Sequence, residues 1–436
     1  MRMTYRGSFN SDTYENEGSL FSGLLMDALE GFAGPLTKRT KGREEENARN
    51  RTWRATPVLS SEFTQDSPLQ DAYVGILKEK RNISKAIQSI SNILPGLPHL
   101  KRCSNTRLLL TTLAYSKELE DTDKSDKDNI LSQVELKELL RNKEFDLSLL
   151  EDEFQVIKIP KNPPRTKSQA ANSAKTWPVN FHPDPGIEAV ISGSIFDQDQ
   201  LDSIEAYMKI VIEAAKLEAI GNDNCHGSSL VVDPEDGRVL AIAASKVDLH
   251  PMWHAAMIAI DLVARLQGGG TWNFCKSTEN KNEISPKLKS TSIGTEIKDG
   301  IKAKRKFYED TPVCFPESLR SIPLPESKPL WIKAKNKRKD DGSCNMESQE
   351  KIGPYLCTGY WVFLLREPCA MCAMALLHSR VIRIFYGIAS EGSGVLGSKA
   401  ILHSVPGLNH RYQVWKDVLE QECQEAWSEI ISRDSS

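Results

Sequence analysis

Three residues of the chain, His254, Cys369 and Cys372, have the types and the spacing of zinc ligands. The cysteines belong to the run Glu367-Pro-Cys-Ala-Met-Cys-Ala, and a Pro-Cys-x-x-Cys run that opens a helix presents two thiolates on one face of its first turn. The free N–H groups and the dipole of a helix start favour the ionised sulfur. A histidine from a second helix completes a set of three ligands with a fourth position open, which is typical of catalytic zinc. The sequence therefore predicts one Zn²⁺ per chain at these residues.

The residue two positions after His254 decides what this site can do. The two runs resemble the H-x-E…P-C-x-x-C signature of the zinc-dependent nucleoside deaminases, in which that residue is a glutamate that carries protons. Here the position is Ala256. Alanine neither accepts nor donates a proton, and general acid–base catalysis contributes about 10²–10⁴-fold in rate. We therefore expect a zinc-holding deaminase fold with no catalytic residue of its own.

Composition limits the class of protein. A chain of 436 residues suggests two or three domains, and a formal net charge of −3 gives no overall nucleic-acid signature. Nine cysteines without a regular framework favour a reducing compartment. The start of the chain has no secretory signal and no run approaches the length of a membrane span. We expect a protein of the nucleus and the cytoplasm, outside membranes.

The pattern divides the chain into four parts. Residues 1–55 are polar and predict a disordered tail, whose basic run at 38–43 is either a nuclear-import signal, an RNA tail or plain solvated charge. Residues 56–160 alternate as β-α-β-β-α-β, which predicts a ferredoxin-like α+β accessory domain. Residues 161–185 are a proline-rich linker. Residues 186–436 predict a three-layer α/β/α zinc-deaminase domain.

Within the last part, residues 276–353 form a long insertion that is net basic and has few apolar anchors. Such a stretch predicts a disordered or semi-ordered surface loop. It either contacts phosphate or is a plain solvated insertion. The helix that follows His254 is apolar over much of its circumference, which predicts burial on more than one side.

Basic residues cluster at the ends of elements in the accessory domain and in the linker after it. Such residues hold a nucleic-acid backbone through sequence-independent phosphate contacts. Scattered surface charge is the alternative explanation. The candidate RNA contacts are Lys78, Lys80, Arg81, Lys101, Arg102, Lys161, Arg165 and Lys167.

Longer runs of the sequence restrict the resemblance to a smaller group of zinc-dependent deaminases. Residues 367–380 and the tail runs 394–398 and 402–411 resemble the tRNA adenosine deaminases rather than the cytidine deaminases within this zinc superfamily. With Ala256 and with residues 53–59 and 177–182, they resemble the inactive third-subunit family of the eukaryotic tRNA wobble-adenosine deaminase. The resemblance extends over about residues 53–275 and 354–430 and stops at the tail and the insertion.

This resemblance implies a heterodimer with a glutamate-bearing catalytic subunit that converts adenosine to inosine at the first anticodon position. It also implies that the accessory domain helps to hold the tRNA. Active relatives carry a substrate-contacting asparagine in a region where this chain has none between Cys225 and Thr271, which fits an inactive role.

Two alternatives stay open at this point. One is a stand-alone deaminase that uses another acid, of which Asp261 is the nearest on the same helix, seven positions after His254. The other is a structural zinc protein with no role in RNA. Ala256 argues against the first, and the tail run with Asn409-His410-Arg411 argues against the second.

Overall fold

The computed structural model describes residues 51–94, 96–114, 131–220, 227–272, 274, 311–330 and 355–434. Within them the strands are β1 (Thr56–Pro57), β2 (Leu69–Ile76), β3 (Cys103–Ser104), β4 (Arg107–Thr112), β5 (Gln155–Pro160), β6 (Ser228–Asp233), β7 (Arg238–Ala244), β8 (Val313–Phe315), β9 (Trp361–Arg366), β10 (Arg383–Ile388) and β11 (Gln413–Lys416). The helices are α1 (Ser61–Thr64), α2 (Ile83–Ile93), α3 (Gln133–Asn142), α4 (Lys167–Ala174), α5 (Pro185–Ser192), α6 (Gln198–Glu218), α7 (Ala255–Leu266), α8 (Ala370–His378) and α9 (Glu420–Asp434). These elements belong to two compact units, a large unit (Met1–Val58 and Gly193–Ser436) and a small unit (Leu59–Ser192).

The large unit is built on a seven-stranded mixed sheet with the order β1-β11-β10-β9-β6-β7-β8. Strands β9, β10 and β11 are parallel, and β6 and β7 form an antiparallel hairpin beside β9. The turn between β6 and β7 uses Gly237 at φ 76°, where a Cβ atom would collide with the backbone of Lys328. Helix α8 connects the parallel strands β9 and β10, so its N-terminus lies just after the end of β9.

Helices cover both faces of this sheet. One apolar cluster joins α6 and α9 to side chains such as Trp361 and Phe385, and the other joins α7 and α8 to side chains such as Val362 and Ile384. The alternation of Trp361 and Val362 between the two clusters follows from the period of two in a strand. The predicted three-layer α/β/α architecture is confirmed.

The small unit has a four-stranded antiparallel sheet with the order β3-β4-β2-β5. Its elements follow one another as β-α-β-β-α-β, and α2 and α3 pack on one face through residues such as Ile90 and Leu136. Helix α3 begins with a capping box between Ser132 and Glu135. The ferredoxin-like assignment of this unit stays a prediction.

The other face of the small sheet is also covered. Trp177 is 1% exposed and packs on Val74 and Leu109, and its indole N–H donates to the Lys101 carbonyl at 2.7 Å. Leu100 belongs to the same apolar cluster. A sheet face filled in this way offers no platform on which bases could stack.

The unit boundaries differ from the predicted domain boundaries. Residues 51–55 were expected in the tail, but Arg51 bonds to Asp202 and Glu205 on α6. The segment 161–185 was expected to be a linker, yet it contains α4 and belongs to the small unit, where the Gln169 amide donates to the Glu62 and Gln65 carbonyls. Both segments are held by polar side chains, which a search for apolar periodicity does not find.

The predicted unstructured insertion needs a partial correction. Residues 311–330 contain β8, which pairs with β7 in parallel, and Leu319 and Leu330 are buried in the core at 0% and 2% exposure. The rest of 276–353, like residues 1–50, lies outside the described residues. The apolar anchors were missed because they are few and do not repeat with a period.

None of the helices in the described ranges has the length and the apolar character that crossing a membrane requires.

Candidate functional site

His254 is the residue at which α7 begins. It is the N-cap, with extended backbone angles of φ −70° and ψ 145°, and its side chain forms no capping hydrogen bond. The loop before it is closed by a hydrogen bond from the Lys246 N–H to the Trp253 carbonyl at 3.0 Å, and the Trp253 ring packs edge-on against Phe315. The imidazole is therefore placed by a fixed helix start rather than by a mobile loop.

The two cysteines lie at the start of α8. Cys369 is the N-cap and Cys372 is three positions further on, so both sulfurs lie on the first turn as predicted. The helix begins at Ala370 and leaves Pro368 just outside it. Cys369 is half-buried and Cys372 is fully buried.

The structure brings the three predicted ligands together. The Sγ atoms of Cys369 and Cys372 lie 3.8 and 3.6 Å from Nδ1 of His254, and all three ligand atoms lie within 4.8 Å of one another. Tetrahedral zinc with Zn–S near 2.3 Å and Zn–N near 2.0 Å separates such atoms by about 3.6 Å. The donor set and its spacing fit a zinc ion, whose binding here stays a prediction.

Two helix starts converge on this cluster. The N-terminal N–H groups of α7 and α8 carry partial positive charge, which stabilises thiolate on the cysteines. The helix starts thus favour the form of the two cysteines that binds a metal.

Ala256 is 0% exposed in the first turn of α7. It belongs to the same apolar cluster as Cys372 and Ala373, so its methyl group fills space beside the ligands. The position that carries the proton shuttle in deaminases is packed rather than open. A carboxylate there would be buried among apolar atoms.

Asp261, the candidate acid of the stand-alone deaminase, is occupied elsewhere. Its carboxylate accepts hydrogen bonds from Arg265 Nε at 3.0 Å and from the Thr271 and Trp272 N–H groups at 2.5 and 3.4 Å. It is 7% exposed. Asp261 therefore fastens the second half of α7 to the loop after it, about two turns along the helix from His254.

Sequence reasoning missed the role of Glu367. The side chain is 0% exposed, and its carboxylate accepts from the N–H groups of Ser390, Leu396 and Ser398 at 3.0, 2.8 and 2.9 Å and from the Ser398 hydroxyl. The only signal was its place directly before Pro368 and Cys369. Nothing in the spacing indicates donors that come from more than twenty residues downstream.

The predicted RNA contacts differ in their exposure. Arg102 is half-buried, its guanidinium donates to the carbonyls of Ile90, Leu94 and Leu110 at 3.3–3.5 Å, and burial lowers its pKa. It therefore caps the end of α2. Arg165 is also half-buried, 3.9 Å from Glu62. The exposed candidates are Lys78, Lys80, Arg81, Lys101, Lys161 and Lys167.

The strand register separates these candidates. Lys78 follows the end of β2, whereas the Lys161 N–H donates to the Pro68 carbonyl just before β2 begins. Eight residues of strand span about 26 Å. Lys78, Lys80 and Arg81 thus lie at one end of the small sheet, and Lys161 lies at the other. The sequence could not show this, because it depends on how β2 pairs.

Comparison with known proteins gives long matches. A zebrafish (Danio rerio) protein named "Probable inactive tRNA-specific adenosine deaminase-like protein 3" is 30% identical over 90% of this chain and 100% of its own length. The human (Homo sapiens) protein of the same name is 33% identical over 85% of this chain and 91% of its own length. A fission yeast (Schizosaccharomyces pombe) protein named "tRNA-specific adenosine deaminase subunit tad3" is 25% identical over 61% of this chain and 60% of its own length. No family model matches the sequence.

Proposed function

Because the chain belongs to the family of the inactive tRNA-specific adenosine deaminase-like protein 3, we propose that it is the non-catalytic subunit of a tRNA adenosine deaminase. The reaction of the complex is conversion of adenosine to inosine at the wobble position of the anticodon. The partner in the heterodimer is a catalytic subunit that carries the glutamate this chain lacks. A related fission yeast protein is itself named as a subunit.

The observation that carries this proposal is the buried Ala256 beside a preserved cluster of His254, Cys369 and Cys372. Proton transfer to and from the base needs a titratable group next to the ligands, and alanine has none. Asp261 does not replace it, since its carboxylate is held by Arg265 and two N–H groups. The site keeps its ligands and has lost its proton carrier.

In this proposal each chain binds one zinc ion at the cluster. Zinc there would supply a Lewis acid that activates water. This chain's own residues hold the ligands at two helix starts and fill the proton-carrier position with a methyl group. The binding free energy of the metal is available to folding, and we propose that it stabilises the surface that docks the catalytic subunit.

The small unit contributes tRNA binding in the same proposal. Its sheet is covered on both faces, so it would bind tRNA through phosphate contacts. Exposed lysines such as Lys78, Lys80 and Lys161 would make these contacts. Reducing conditions of the nucleus and the cytoplasm suit the six described cysteines, none of which forms a disulfide with another described residue.

Inosine formation on a whole tRNA with adenosine at the wobble position tests the assignment. The preparations are this chain alone, the catalytic subunit alone and the co-expressed pair. We expect inosine only from the pair. Inosine from this chain alone, at a rate that survives removal of any contaminating partner, would overturn the non-catalytic assignment.

Substitution of a ligand tests the role of the metal. In the pair, Cys372→Ser should lose zinc and heterodimer together, measured by metal analysis and size-exclusion chromatography. Cys357→Ser is the matched control, because Cys357 is equally buried at 0% exposure and is not in the ligand cluster. A zinc-free Cys372→Ser chain that still forms the normal complex with an unchanged melting temperature would refute the docking role.

A further inference from the structure

The side chain of Glu367 is buried beside the ligand cluster, and hydrogen-bond donors surround its carboxyl group. Three N–H groups and one hydroxyl, all from residues 390–398, converge on its two oxygens. One oxygen accepts from Leu396 and Ser398 N–H groups and the other from Ser390 N–H and the Ser398 hydroxyl. Both oxygens of this buried side chain are thus used as acceptors. We call residues 390–398 the Glu367 loop.

The Glu367 loop is also joined directly to the metal motif. Gly394 forms a backbone bridge with Cys369, and the Val395 N–H donates to the Pro368 carbonyl at 3.2 Å. The loop crosses so close to the carboxyl group of Glu367 that a Cβ atom on Gly394 would collide with it. The backbone on either side of Cys369 is therefore held by a loop that Glu367 in turn holds.

We infer that Glu367 is a positioning residue for Cys369, which fixes the Glu367 loop against the ligand and so sets how tightly the chain retains its metal. The inference rests on the metal site of the proposed function and adds a residue to it that touches neither metal nor substrate. Its physical basis is the rule that partners behind the ligands fix ligand orientation, and that their loss typically lowers metal affinity by about 10–100-fold.

Both oxygens of Glu367 are required as acceptors, so the shape of the side chain alone is not sufficient. All four partners are donors, so an amide in place of the carboxylate would set its NH₂ group against either two N–H groups or an N–H and a hydroxyl. Buried donors left without acceptors are costly. Glu367→Gln, which keeps the volume, should therefore release the Glu367 loop.

Glu391→Gln is the matched control, since Glu391 lies in the same loop and is exposed. The full-length chain is purified in complex with its catalytic subunit, and two quantities are measured. The first is the rate at which zinc from this chain passes to a chromogenic chelator, with the partner's zinc counted separately from the partner alone. The second is amide hydrogen exchange over residues 390–398.

We expect Glu367→Gln to release zinc at least about ten-fold faster and to exchange faster over 390–398, while Glu391→Gln matches the wild type. Ser398→Ala removes only the hydroxyl donor and should change both quantities in the same direction, but by a smaller factor than Glu367→Gln. It replaces Glu367→Gln as the test variant if that chain fails to fold. Faster exchange with unchanged zinc release would overturn the positioning role and leave the metal site standing. A wild-type chain that carries no zinc would instead refute the metal site of the proposed function and the positioning role with it.

Discussion

Substitution of Asp261 by asparagine separates a structural residue from a hidden proton carrier. The carboxylate accepts two main-chain N–H groups and the Arg265 guanidinium. Asparagine keeps one oxygen for the N–H groups of Thr271 and Trp272 and turns an NH₂ group towards Arg265. The change thus removes one charge-assisted hydrogen bond and leaves the volume of the side chain almost unaltered.

The expected size of the effect follows from burial. A hydrogen bond to a charged group contributes about 1.5–3 kcal/mol. Because Arg265 is 35% exposed, solvent screens the pair and the lower half of that range applies. About 1.5–2 kcal/mol corresponds to a fall of roughly 3–8 °C in melting temperature for a unit of this size.

The assay measures melting temperature and single-turnover inosine formation by the pair, the latter well below the melting temperature. We expect Asp261→Asn to melt earlier and to form inosine at the wild-type rate. Asp248→Asn, at an exposed position of the same unit, should change neither quantity. Loss of inosine formation at an unchanged melting temperature would refute this reasoning and make Asp261 a proton carrier.

Three further outcomes are expected. Chelation of zinc should lower the melting temperature of the wild type but not of a Cys372→Ser chain. The free energy of unfolding of the wild type should fall by about 2.7 kcal/mol where free zinc was a hundred times its dissociation constant. An equal response of both chains would contradict the site. Burial lowers the pKa of His403 from 6.5, so the folded state keeps the imidazole neutral while the unfolded state takes up a proton. The free energy of unfolding should therefore fall as pH drops below about 6.5. His403→Gln should flatten this dependence in melting curves recorded between pH 7.5 and 5. Arg102→Ala should lower the melting temperature without changing the salt dependence of tRNA binding. Lys80→Ala should instead leave the melting temperature unchanged and reduce the slope of log affinity against log salt by up to about one.

Elements with a long local pattern were predictable from the sequence. The apolar spacing within 199–220 predicts a helix, which is α6 (Gln198–Glu218), and the continuous apolar run 360–366 predicts a strand, which is β9 (Trp361–Arg366). The strands β1, β8 and β11 have two to four residues each and were not predicted. Their existence depends on partners far away in sequence, such as Lys416 for Thr56, and so short a segment carries no period of its own.

The residues of the site also differ in whether the sequence identifies their role. Residue type and spacing identified His254, Cys369 and Cys372, because a metal dictates the chemistry of its ligands. The roles of Glu367 and Asp261 were beyond such reasoning, since the groups that bind them are backbone N–H groups. Every residue except proline has one, so no residue type marks where a carboxylate will find them.

The separation between ligands and proton carrier explains how such a site can lose its chemistry and persist. His254 and Cys369 are 115 residues apart, and a metal between them would close a long loop and tie the starts of α7 and α8 together. Ala256 makes no bond to that metal and fits its apolar surroundings, so the change that removes proton transfer need not weaken the fold. Loss of a ligand would instead leave a buried cysteine or histidine without its partner. Selection for a stable docking subunit would thus act on the three ligands and on Glu367, while the proton-carrier position is free to become alanine.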